Sequence, residues 1–129
     1  MTGTMPAVDL AKLIQLNLLN TPGNSEPFAA RAAKVFLKTA PGLVDKMRLG
    51  YYAQDAVGIR IASHTLKTSS HFLGAIELSQ LANRLEISCR ENSLSGADEL
   101  IIIIEREYPR VAQELEQFVL SSQMAATSS

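Results

Sequence analysis

Residues 61–75 read IASHTLKTSSHFLGA, and their spacing decides the fold. On a helical wheel, at roughly 100° per residue, Ile59, Ala62, Leu66, Ser70 and Leu73 fall in one arc, spaced three and four apart. That arc is a core face. His64 lies about 160° from its centre and therefore points outward. Arg60, Lys67 and His71 project on its flanks. Val57 and Ile61 share the outward side, so the imidazole sits among exposed apolar residues, the mark of a docking surface rather than a bare solvent face.

Working outward in both directions gives more helices. Val8–Leu19 carries Leu10, Leu13, Ile14 and Leu18 at helical spacing, and Asn20-Thr-Pro-Gly-Asn24 ends it. Asn24 or Ser25 is expected to cap the next helix, with Pro27 in its first turn. That segment carries Phe28, Ala32, Val35 and Phe36, then Leu43, Val44 and Met47, interrupted by Pro41-Gly42. One kinked helix to about Tyr52 and two shorter helices both fit. Gln54 or Asp55 starts the segment containing His64, and Gly74 ends it. Ala75–Asn92 is the next helix, with Ile76, Leu78, Leu81, Leu85 and either Ile87 or Cys89 inward. Ser93-Leu-Ser-Gly96 is a turn, and Ala97–Ser121 is a last long helix bent at Pro109.

Short connections make successive helices antiparallel neighbours. The expected fold is therefore all-α: an up-down-up-down antiparallel four-helix bundle with a short additional N-terminal helix. The expected division is a leader and short helix over 1–24, the bundle over 25–121 and a flexible tail over 122–129. A chain of 129 residues suits one domain. Its hydrophobic fraction of 47% with only 5% aromatics suits a core of Leu, Ile, Val and Ala. A net charge of −1 gives no reason to expect nucleic acid or a membrane surface as partner. The single cysteine, Cys89, fits a reducing compartment and reads as a small core residue. Neither a secretory signal nor a membrane-spanning run is apparent, so the expected location is cytoplasmic.

The chemistry of the outward face follows from its residue types. A neutral imidazole is a nucleophile near neutral pH. If it attacks a phosphoryl group, charge on three oxygens must be met without blocking the nitrogen. Lys67, one turn on, supplies a point charge from the same face. His71 and His64 have no third ligand at metal spacing, so no metal or other cofactor is expected. Ser69 and Ser70 lack the acid–base partner of a serine hydrolase. Ile101–Ile104 places apolar surface on more than one side of the last helix, either buried under the N-terminal helix or exposed for self-association.

His64-Thr-Leu-Lys67-Thr-Ser-Ser70-x-x-x-Gly74-Ala75 resembles the signature of histidine-containing phosphotransfer (HPt) domains, A/S-H-x-L-K-G-S-S-x-x-x-G-A. Phe36-Leu-Lys-Thr-Ala-Pro-Gly-Leu43-Val resembles the family's F-L-x-x-A-P-x-L-L helix. Leu78-x-x-Leu81-Ala-x-x-Leu85-Glu86 resembles its L-x-x-L-x-x-x-L-E helix. The resemblance implies a phosphorelay intermediate, a phosphocarrier that does not itself use ATP. His64 would be phosphorylated by a receiver-domain aspartate and would pass the group on to another. Lys67 would stabilise the phosphoryl group, Glu86 would accept an imidazole N–H and Arg90 would stand near the phosphoryl group. Val57, Arg60, Ile61, Thr68 and His71 would form the binding face. The implied partners are response-regulator receivers and a sensor or hybrid histidine kinase. Mg2+ would be needed only by the receiver, and the domain would be monomeric, free-standing or the cytoplasmic end of a membrane-bound hybrid kinase. The alternative is an interaction module that binds such partners without carrying phosphate. One position departs from the pattern: Thr68 stands where the family usually has glycine, and it adds bulk beside the docking face.

Overall fold

The computed structural model describes residues 5–20, 23 and 26–127, with side chains through residue 124. Helices α1 (Leu10–Gln15), α2 (Phe28–Tyr52), α3 (Ala56–Phe72), α4 (Ile76–Arg90) and α5 (Ala97–Thr127) follow in order, with a 3-10 turn at Leu16–Leu19 after α1. Among the described residues there is no strand. Each of α2 to α5 packs on the next, and α2 also packs on α5, which closes the up-down-up-down bundle.

The α2 helix is continuous, with Pro41 inside it. Its buried row of Ala33, Phe36, Ala40, Val44 and Met47 faces the core on both sides of the proline. Packing along that row offsets the roughly 3 kcal/mol that an interior proline costs. Of the two readings left open by Pro41-Gly42, the single helix is the one formed. The start of α2 differs from expectation. Pro27 is the residue just before the helix, and it caps nothing with its side chain. Side chains from the preceding 3-10 turn and from the residue just after it do the capping. Asn20 accepts from the Phe28 amide, and Asn17 accepts from the Ala29 amide at 3.1 Å. The Asn24 or Ser25 cap lies outside the described residues.

Asp55 caps α3, accepting from the Gly58 amide at 2.9 Å. At the other end, Gly74 takes a φ of +83°, where an L side chain is strained. A Cβ there would also lie 2.9 Å from the Asp9 carbonyl oxygen. The close approach has a purpose, because the Gly74 carbonyl accepts from the Asp9 amide at 2.9 Å and ties the N-terminal segment to the bundle. Leu13 is buried from that segment. The Glu114 carboxylate on α5 accepts from the Ala7 and Val8 amides, each at 2.8 Å.

On α4 the buried row is Leu78, Leu81, Ala82, Leu85 and Cys89, so Cys89 rather than Ile87 turns inward. On α5, Ile101 and Ile104 are fully buried and Ile103 is exposed. The helix runs to Thr127, past the Ser121 end expected from the pattern. Among the described side chains its last buried apolar residue is Val119. From there to residue 124 no inward row marks an end, and Gln123, Met124 and the two alanines of the sequence are good helix formers.

Candidate functional site

The α3 and α4 helices approach each other through small residues. Ala62 and Ser63 on α3 and Ser79 and Ala82 on α4 are all buried. Ser79 donates to the Lys67 carbonyl at 3.0 Å and fixes the register between the helices. That register sets Glu86 of α4 against His64 and Lys67 of α3. Glu86 Oε2 lies 2.9 Å from His64 Nδ1, and Oε1 lies 2.7 Å from Lys67 Nζ. The Glu86 side chain is 9% exposed, that of Lys67 27% and that of His64 61%. A nearly buried carboxylate thus orients two groups that reach solvent.

Burial is the largest single influence on Glu86, and it pushes the carboxyl pKa up. The hydrogen bonds from Lys67 and then His64, with their charges, together outweigh it and hold the group below its ordinary value. Glu86 is therefore an anion at neutral pH and an acceptor only. The proton of the neutral ring lies on Nδ1, so Nε2 carries the lone pair on an exposed ring. Arg90 stands one turn beyond Glu86, with Nη2 3.8 Å from Oε2, as an outlying charge. Asn83 Oδ1 approaches Lys67 Nζ at 3.5 Å, a neighbour that sequence reasoning missed. The periodic row Ser79, Ala82 and Glu86 on α4 could have pointed to the burial of Glu86.

Val57 and Ile61 are exposed, as the wheel places them, and Arg60 is half-buried. Thr68 is exposed, but its hydroxyl donates to the His64 carbonyl at 3.1 Å. His71 is not brought together with His64. Its Nε2 lies 3.2 Å from Lys12 Nζ, toward α1. Among the described residues no group of three or more His, Cys, Asp and Glu is placed to hold a metal ion. No described helix is long and apolar enough to cross a membrane.

The Hpt domain family model matches residues 31–119. The chain belongs to the Hpt domain family. Hpt domains are phosphocarriers in two-component phosphorelays rather than enzymes, and they interact with receiver and kinase domains. The fold has a counterpart in the crystal structure of histidine-containing phosphotransfer protein B (HptB) from Pseudomonas aeruginosa PAO1. Identity is 24% over 92% of this chain and 98% of that chain, with a TM-score of 0.80. That likeness is one of fold. No curated protein matches the chain.

Proposed function

We propose that this Hpt domain carries a phosphoryl group on His64 between aspartates of receiver domains, or back to the first. The observation that carries the reading is the Nδ1 contact with Glu86 at 2.9 Å. Nε2 attacks the phosphorus of an aspartyl phosphate. The N–P bond forms as the P–O bond to the aspartate breaks, and the aspartate leaves as a carboxylate. The ring keeps its Nδ1 proton and gains positive charge, which the Glu86 carboxylate neutralises across the existing hydrogen bond. Return of the group to a second aspartate reverses each change.

Lys67 is the charge for the phosphoryl oxygens. It lies on the same face one turn on, and at rest it is parked on Glu86 Oε1. Arg90 adds a more distant positive charge. The receiver meets the domain across Val57, Arg60, Ile61 and Thr68. His71, engaged with Lys12, lies at the margin of that face. The carrier unit is the bundle over 25–121, monomeric, with Mg2+ supplied at the receiver. A sensor or hybrid kinase stands upstream.

Labelled receiver-phosphate mixed with the wild type should give an acid-labile, alkali-stable label on His64. His64→Gln should take none while melting as the wild type does. Label on His71, or label persisting in His64→Gln, would falsify the assignment. Receiver binding without any label in the wild type would leave an interaction module in its place.

A further inference from the structure

A cavity of about 820 Å³ opens between α1, the start of α4 and the C-terminal half of α5. That volume lies within the roughly 300–1,000 Å³ of occupied ligand sites. Of its own residues α1 buries only Leu13. Leu10 and Ile14, one turn apart, line the cavity and remain exposed. Ile76 of α4 and Phe118 of α5, both half-buried, form other walls. Leu18, in the 3-10 turn, carries exposed apolar surface on past the end of α1.

The charge around these walls has one sign. Asp9, Glu77 and Glu114 line the cavity, and no described Lys, Arg or His does. Glu114 accepts from the Ala7 and Val8 amides, and Asp9 accepts from the Ala11 and Lys12 amides. These donors are neutral, so no cation offsets either carboxylate. Glu77 is exposed, and among the described residues its side chain has no hydrogen bond or ion pair. The cavity therefore complements an apolar partner that carries positive charge, and it repels an anionic one.

We infer that this cavity docks a partner protein, which lays the apolar face of a helix against Leu10, Ile14 and Phe118 and sets a Lys or Arg beside Glu77. The apolar surface at Leu18 favours a polypeptide over a small molecule, because a compact ligand filling the cavity leaves it uncovered. The site stands apart from the transfer chemistry. It shares no lining residue with the groove at His64 or with the cleft at Lys67. Gly74, where the cavity meets the end of α3, is ten residues beyond His64, a rise of about 15 Å. A partner held there leaves the imidazole uncovered, so the domain is tethered at one end while the His64 face stays open to exchange.

The test reads binding alone, so its outcome is separate from that of the phosphorelay reading. The whole chain is titrated, with NMR amide shifts as the readout, against synthetic helical peptides of about 18 residues that are apolar along one face. One is built of Leu and Lys, the other of Leu and Glu. The Leu–Lys peptide should shift Leu10, Ile14, Glu77 and Phe118 and leave His64 unmoved, and the Leu–Glu peptide should bind at least about tenfold more weakly. Ile14→Ser should weaken the Leu–Lys peptide about tenfold, through loss of one apolar anchor. Glu77→Gln should weaken it about threefold, an effect that fades at high salt. Urea melts of both variants separate a folding defect from a binding defect. Shifts centred on His64 or scattered over the surface overturn the inference. So does equal binding of the two peptides, or binding that neither substitution changes. Shifts at the same residues on concentrating the chain alone would assign the cavity to a second copy and overturn the partner.

Discussion

Two charged clusters join neighbouring helices in this bundle, and they are built in opposite senses. At Glu86 an anion is buried and its partners, the His64 ring and the Lys67 ammonium, reach outward. At Arg48, on α2, the cation is the less exposed member. Its guanidinium lies 2.7 Å from Asp98 and 2.9 Å from Glu105, both on α5, and its own side chain is 19% exposed. Glu105 takes two donors in a fork, and Tyr51 and Tyr52 lie within 6 Å of the guanidinium carbon. The hydrogen bond with Glu105 contributes most to raising the Arg48 pKa, followed by that with Asp98. Three of its donors are engaged, and the cluster fastens α2 to α5. In the other cluster the exposed ring edge and the ammonium can exchange a partner without unfolding anything. Similar ion-pair chemistry serves as a clamp when the central charge has only fixed partners, and as a resting site when its partners face solvent.

Substitutions on each side should separate these roles. Lys67→Ala should slow receiver-to-His64 transfer by about 10–100-fold, the loss of one charge-assisted contact in the transition state. It should also cost about 1 kcal/mol of stability, because the Glu86 carboxylate loses a partner. Single-turnover transfer and urea melts measure the two effects. A variant that transfers at the wild-type rate contradicts the proposed role. Arg48→Met should cost about 1 kcal/mol in the same melts and leave transfer unchanged, and its effect should shrink at high salt. Slowed transfer in Arg48→Met would mean that the two clusters are coupled.

Acid provides the finest distinction. The native pKa of Glu86 is lowered from an ordinary value of 4.5. Its contribution is therefore fully present above that value and is lost as the pH falls through the lower native one. Urea midpoints for wild type and Glu86→Gln should differ at pH 7 and converge as the pH falls below 4.5. A gap that stays constant across that range would mean that ionisation of Glu86 does not stabilise the fold.

The outward position of His64 and the core row behind it were legible because both depend on spacing within one helix. The cap at Asp55 and the turn at Gly74 were legible for the same local reason. The identity of the cap on α2 was not, because Asn17 and Asn20 belong to another element and reach it only after the chain turns. Pro41 left two readings open because the cost of an interior proline and the gain from packing are similar in size, and only the packed core weighs them. Helical spacing places Lys67 on the outward face beside His64 and says nothing of a partner on α4. The pairing of Lys67 with Glu86 depends on the register of α4 against α3, which Ser79 fixes across the interface.

The ties that hold the N-terminal segment differ in the length of chain each must close. Asn17 and Asn20 reach amides 12 and 8 residues away, a short loop that can form while the rest of the chain is open. Glu114 reaches back 107 residues to the Ala7 amide, and it can do so only once α5 has docked. In folding terms, one end of the segment is fastened by local order and the other by completion of the whole bundle. Loosening of α5 thus releases the Ala7 and Val8 amides while the caps on α2 still hold.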